Sequence, residues 1–228
     1  MNNVPLVLVT GLLSNKEVFQ YQIKKLSHLV YIFVIELTDT DSPAVMVEKI
    51  LDIAPESFAL AGHSIGGWAA LRLMKAASEK VVKLCLLNTS ARGIDPEETI
   101  ARQTVLTRVE NGEFKKIATE IANKFTFNEA VKENVLKMFL QVGEHALVNQ
   151  TRAMLIREDL RDILPGIHCP TLVIHASEDK RFSLDVHEEI AHNIPNAKLA
   201  IIDDCGHMSP MESPYAIASL IRYWLSYF

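Results

Sequence analysis

Short runs of consecutive apolar residues alternate along this chain with stretches whose apolar positions recur every three or four residues. Pro5–Val9 (PLVLV) is the first run, stopped by Thr10-Gly11. From Asn15 to about Ser27, Val18, Phe19, Ile23 and Leu26 fall at helical spacing. Leu29–Ile35 reads as a second strand, and Ser42-Pro43 as an N-cap followed by proline at the first helical position, opening a helix to about Ile53. Ser57–Ala61 is a third strand, followed after a glycine-rich turn by a helix from about Gly66 to Ala77. Val81–Leu87, Thr171–Ala176 and Lys198–Ile202 add three more strands, with helices near Ser183–Asn193 and Ser213–Tyr227.

Unbroken apolar strands, as opposed to alternating ones, are expected where helices cover both faces of a parallel sheet. The strand–helix rhythm points to the same α/β class: a mostly parallel sheet of about six strands. The rhythm breaks between about Arg92 and Leu164, where no strand is evident and Val105, Leu106 and Val109, Ile117 and Ile121, and Val135, Leu136, Phe139 and Leu140 lie at helical spacing. The expected division is a core of 1–91 and 165–228 with a helical insertion, 92–164, between its strands. The insertion is either a packing subdomain or, as its size in an economical chain favours, a lid over a cleft.

Composition narrows the class. At 49% hydrophobic and 22% charged residues the chain is globular, neither disordered nor fibrous. Lys and Arg number 23 against 28 Asp and Glu, for a net charge of −5, and no basic run stands out, so nucleic acid is not an expected partner. Cys85, Cys169 and Cys205 are widely spaced, which fits a reducing compartment better than a disulfide framework or a structural zinc site. The opening MNNVPLVLVTGLL has no Lys or Arg before Lys16 and is too short to span a bilayer; it reads as a buried strand of a cytoplasmic protein.

The chemistry concentrates in Gly62-His63-Ser64-Ile65-Gly66-Gly67, which falls between a predicted strand and a predicted helix. There a G-x-S-x-G sequence has a mechanical meaning: a sharp turn lifts a serine hydroxyl above the sheet, and the glycines remove side chains that would collide. The following helix points its partially positive N-terminus at the place where an oxyanion would form. The plainer alternative is a glycine-rich turn with a capping serine. A nucleophilic serine needs a base, and the base an orienting carboxylate. Of eight histidines, His207 in the loop Asp204-Cys-Gly-His207 lies just after a strand, at the sheet end where open parallel sheets gather functional groups. His63 sits inside the elbow and is expected to point away from the serine; His175, within a strand, reads as a core residue. His28, His145, His168, His187 and His192 read as surface residues. Asp179 follows the strand Thr171–Ala176 directly and is the leading acid, with Glu178 its near rival and Asp203 and Asp204 weaker ones. The order Ser64, Asp179, His207 is that of one hydrolase scaffold.

With these residues in place the chain resembles the α/β-hydrolases, of the small, lidded esterase type, over nearly its whole length. The matching pieces are Val9-Thr-Gly11-Leu12, the GHSIGG elbow, Cys169-Pro-Thr-Leu-Val-Ile-His-Ala-Ser-Glu-Asp179 and Cys205-Gly-His207-Met-Ser-Pro-Met-Glu212-Ser-Pro214. Within the superfamily it is similar to pimeloyl-ACP methyl ester carboxylesterases and enol-lactone hydrolases. The resemblance implies an α/β-hydrolase fold, Ser64 as nucleophile, His207 as base, Asp179 as orienting acid, and an oxyanion hole from the backbone N–H groups of Leu12 and Ile65. Three departures stand out. Thr10-Gly11 replaces the usual His-Gly, so the hydrogen bonding under the oxyanion loop must differ; two leading strands are missing; and Glu36–Ser42 lacks the usual glycines.

The expected reaction is hydrolysis of a carboxylic ester or thioester of a small to medium acyl group through an acyl-enzyme, with no metal or other cofactor called for. Carbon–carbon bond or lactone hydrolysis with the same triad, and a ligand-binding protein on a hydrolase scaffold, are the alternatives. Phe114, Phe125, Phe127, Met138, Phe139, Met154 and Leu155 offer apolar surface in the insertion, chiefly for its own core. An acyl carrier protein is an acidic partner that a basic lid would suit, but 92–164 holds 11 Lys and Arg against 12 Asp and Glu. Arg152, Arg157 and Arg161 could still share a helix face, with a solvated surface the plainer reading. A small-molecule ester is the expected partner.

Overall fold

The computed structural model describes residues 4–228; of the opening segment, residues 1–3 lie outside the described part. In chain order the elements are β1 (Leu6–Val9), α1 (Gln20–Leu26), β2 (Ile32–Ile35), α2 (Pro43–Ile53), β3 (Phe58–His63), α3 (Ile65–Ala77), β4 (Val81–Leu87), α4 (Pro96–Glu110), α5 (Phe114–Phe125), α6 (Glu129–Val142), α7 (Glu144–Leu155), β5 (Thr171–Ala176), α8 (Leu184–Asn193), β6 (Ala197–Ile202), α9 (Ser209–Glu212) and α10 (Pro214–Tyr227). The six strands form one parallel sheet in the order β2-β1-β3-β4-β5-β6. The chain runs outward from β1 to β2, then returns to β1's other side for β3, so the order reverses there, where such sheets open a crevice at their carboxyl ends.

Alternate strand residues feed two separate cores. Leu6, Leu8, Ala59, Ala61, Cys85 and Leu87 pack on one face with Phe19, Leu26 and Trp224. Val7, Val9, Phe58, Leu60, Leu84 and Leu86 pack on the other against Met46, Ile50, Trp68 and Leu73. This two-sided burial is why the strand sequences are apolar throughout and do not alternate. The edges are wetter: Ile201 of β6 is 50% exposed.

Several boundaries follow local chemistry. The Ser42 hydroxyl accepts from Val45 N at 3.5 Å, and Pro43 starts α2. The strand predicted from Leu29 begins instead at Ile32, because Leu29 and Val30 donate their N–H groups to Leu26 O and extend the end of α1. Strand β3 runs two residues further than predicted, through Gly62 and His63, into the elbow itself. Four helices, α4 to α7, occupy the stretch between β4 and β5. Among the described residues no helix is long and apolar enough to cross a membrane.

Candidate active site

The turn from β3 into α3 holds Ser64 at φ 55° and ψ −117°, a left-handed conformation that costs a non-glycine residue of order 1–3 kcal/mol. Its side chain makes no helix-capping hydrogen bond, so the capping alternative does not describe it. The backbone around it is crowded: a Cβ at Gly62 would stand 2.3 Å from Gly66 O, and one at Gly66 would stand 2.4 Å from Val9 O. Neither position can carry a side chain without moving backbone. Ser64 N donates to Leu87 O at 2.9 Å, and Thr89 Oγ1 donates to Ser64 O at 2.7 Å, which tie the strained residue to the neighbouring strand end.

Loops after β5 and β6 converge on the same spot. The Ser64 hydroxyl lies 2.9 Å from His207 Nε2, and His207 Nδ1 lies 2.9 Å from Asp179 Oδ2. All three residues are buried, Ser64 at 8% and His207 at 1% exposure. Asp179 Oδ2 also accepts from Asn88 Nδ2 at 2.9 Å, while Oδ1 accepts the backbone N–H groups of Arg181 at 2.7 Å and Phe182 at 3.2 Å. Burial works to raise the Asp179 carboxyl, but the His207 imidazole beside it and these hydrogen bonds outweigh burial and hold it below the usual carboxylate range. Asp179 is therefore an anion at neutral pH, placed to accept from Nδ1–H and leave Nε2 free to take the serine proton. Glu178, Asp203 and Asp204, the rival acids, are exposed.

The rest of the site surrounds this line. Leu12 and Ile65 both face the cavity that reaches Ser64, and Ile65 opens α3, where the first N–H groups lack intrahelical partners. Phe125 and Phe182 set their rings against the His207 imidazole at 4.5 and 5.8 Å. His63 Nε2 lies 2.8 Å from His207 O; burial pushes its pKa down to about 3, so the neutral ring donates to that carbonyl and braces the His207 loop from below.

Residues 6–220 match the alpha/beta hydrolase family across nearly the whole sheet and insertion. The chain belongs to that family. A pimeloyl-[acyl-carrier protein] methyl ester esterase of Aromatoleum aromaticum is 26% identical over 193 residues, 77% of this chain and 76% of that one. A 2-hydroxy-6-oxononadienedioate/2-hydroxy-6-oxononatrienedioate hydrolase of Burkholderia vietnamiensis is 28% identical over 165 residues, 67% of this chain and 57% of its own. Among solved structures, a thermophilic esterase from Thermogutta terrifontis, with malate bound, superposes with a TM-score of 0.88 at 25% identity, covering 97% of this chain and 89% of that one.

This α/β hydrolase also uses residues that the sequence reading did not single out. Gln150, from α7, accepts Leu13 N at 2.9 Å through Oε1 and donates through Nε2 to Leu37 O at 2.9 Å and Gly11 O at 3.3 Å. These bonds hold the Gly11–Leu13 loop from α7, where the first strand ends in Thr10-Gly11. Asn88 holds Asp179 and accepts from Ser209 Oγ at 2.5 Å. Glu212, within the Cys205–Pro214 motif, has a carboxylate that accepts Gly206 N and Met208 N at 3.2 and 3.0 Å, and Phe127 N and Asn128 N at 2.8 Å each. One buried group thus pins the loop on either side of His207 and the connection between α5 and α6.

Two expectations are corrected. His187 is fully buried, not a surface residue: with Val186 and Ile190 it forms the inward stripe of α8, its ring 4.6 Å from that of His175. Burial, followed by the neighbouring His175, pushes its pKa down to about 4. Arg152, Arg157 and Arg161 do not share a helix face either, because α7 ends at Leu155. Arg152 is exposed, Arg161 pairs with Asp159 at 2.6 Å, and Arg157 turns inward to Glu98 at 2.7 Å. Of the apolar residues offered by the insertion, Phe125 and Met154 line the cavity, whereas Met138 and Phe139 are core.

Proposed function

We propose that this hydrolase cleaves a carboxylic ester of a small to medium acyl substrate through an acyl-enzyme. The observation that carries the reading is the continuous line from Ser64 Oγ through His207 to Asp179, two contacts of 2.9 Å each. Ser64 attacks the carbonyl carbon as His207 Nε2 takes its proton, and Asp179 stabilises the imidazolium. The backbone N–H groups of Leu12 and Ile65 receive the oxyanion, each such donor being worth about 2.7–4 kcal/mol. His207 then returns the proton to the leaving alkoxide and activates the water that releases the acid. Helices α4–α7 serve as the cap of this site, since Phe125, Met154 and Arg157 contribute to its walls.

A free small ester fits better than an acyl-carrier thioester, because the insertion carries no net positive charge, 11 Lys and Arg against 12 Asp and Glu, and a cytoplasmic location accords with three unpaired thiols. The Burkholderia vietnamiensis relative supports carrying carbon–carbon bond hydrolysis as the second reading. Purified protein should hydrolyse 4-nitrophenyl acetate and butyrate, with turnover lost in Ser64→Ala and a fluorophosphonate probe labelling Ser64. Equal slow turnover by wild type and Ser64→Ala would overturn the reading, and a single burst that stops at a stable Ser64 adduct would favour a binding protein.

A further inference from the structure

Glu98, on α4, is outnumbered. Its carboxylate receives Arg102 Nε and Nη2 at 2.9 and 2.6 Å, Arg157 Nη2 at 2.7 Å, and the Arg181 guanidinium from the loop after β5. Guanidiniums stay charged in proteins, so one carboxylate leaves this group cationic. Asp95, the next acid, caps α4 through Glu98 N and also acts on Arg157, which still leaves three guanidiniums against two carboxylates. The excess charge is shielded from water in part: Arg157 is 7% exposed, and its Nε has no hydrogen-bond partner among the described residues, whereas the side chains of Arg102 and Arg181 are 15% and 25% exposed. Burial pushes Arg102 down to about 10, still cationic at neutral pH.

Surplus buried charge is costly unless a further anion offsets it. Arg102, Arg157 and Arg181 line the same cavity as Ser64, Leu12 and Ile65. We propose that this arginine wall is an anion subsite, and that the substrate is a short ester whose acyl part carries a second, ionised carboxylate: a half-ester of a dicarboxylic acid. The inference rests on the ester-hydrolase reading of Ser64. The acyl part is the portion whose carbonyl oxygen points at Leu12 and Ile65, on the walls shared with the arginines. A carboxylate repeats the planar, forked pairing that Glu98 already makes there. The cavity encloses only about 30 Å³ beside Phe125 and Met154, so its walls must part to give a few methylenes apolar contact there. Hydrolysis breaks the ester C–O bond, water supplying hydroxide to the acyl carbon and a proton to the alcohol, so the product is a dicarboxylate.

The test compares monomethyl glutarate with methyl pentanoate, an uncharged ester of the same chain length, by proton release. Wild type should favour the half-ester by about tenfold in kcat/KM, mostly through KM, with the preference eroded by salt. Arg102→Gln and the more exposed Arg181→Gln should each bring the ratio toward one. A wild-type ratio at or below one, or a ratio unmoved by both variants, overturns the proposal. Calorimetric titration of Ser64→Ala with glutarate separates this from the catalytic reading. Glutarate binding that disappears in Ser64→Ala/Arg102→Gln supports the subsite, even if no ester is turned over. Absence of glutarate binding by Ser64→Ala overturns the subsite, even if neutral esters are hydrolysed.

Discussion

The sheet rim and the helical insertion face one cavity but hold their residues by different means. On the rim, Ser64, Asp179 and His207 follow β3, β5 and β6 within a few residues, and backbone bonds such as Ser64 N to Leu87 O and Asp179 N to Ala176 O fix the turns that carry them. Moving any of the three means disturbing the buried sheet. The insertion wall depends on side-chain bonds between distant segments: Arg157 to Glu98, Gln150 to Leu13, Glu212 to Phe127. A rim of this kind suits bond-making, where small displacements are costly. A wall of side chains can alter its charge and shape while the rim stays intact, which is where selectivity can reside.

The comparison is sharpest at Asp179. Asp179→Asn should keep the loop in place while removing the anion that fixes the His207 tautomer, lowering kcat by about 10²–10⁴-fold. Ester turnover beside a thermal melt checks it; a large fall in Tm would mean the carboxylate mainly holds the fold together. Gln150→Leu crosses the boundary, since this insertion residue supports the rim loop. It should cost about 1–3 kcal/mol of stability by stranding Leu13 N, Gly11 O and Leu37 O. It should also lower kcat by about tenfold with little change in KM, through a loosened Leu12 N–H. Unchanged kcat would show that wall and rim work independently. The smallest effect on turnover belongs to His187, behind Asp179 on α8. Its pKa is depressed to about 4 in the fold, so the unfolded chain takes up its proton first as the medium is acidified. Stability is whole above the unfolded value of about 6.5 and is lost from there down to about 4, by about 2 kcal/mol at pH 5. Denaturant melts at pH 7 and 5 should show this loss, and His187→Leu should flatten it.

The rim was readable from the chain because its signals are local. Apolar runs two-sidedly buried, glycines at positions 62 and 66 where any Cβ would strike backbone, and polar residues just past strand ends all appear within a few residues of one another. His187 carries a local signal too, since its spacing from Ile190 puts it on the buried stripe of α8 despite its polarity. The insertion wall had no such signal. Gln150 meets Leu13 across 137 residues, and Glu98 gathers arginines from three segments. Nothing in the spacing of a lone glutamine or arginine tells which distant backbone or carboxylate it will find.

Glu212 stitches the α5–α6 connection to the loop that carries His207 at a single buried carboxylate, with two N–H groups on each side of the seam. Swinging the whole insertion away as a rigid flap would strip that anion of half its donors. Rotamer changes at the partly covered guanidiniums of Arg102 and Arg181, which line the cavity, ask less of that seam than a hinge would.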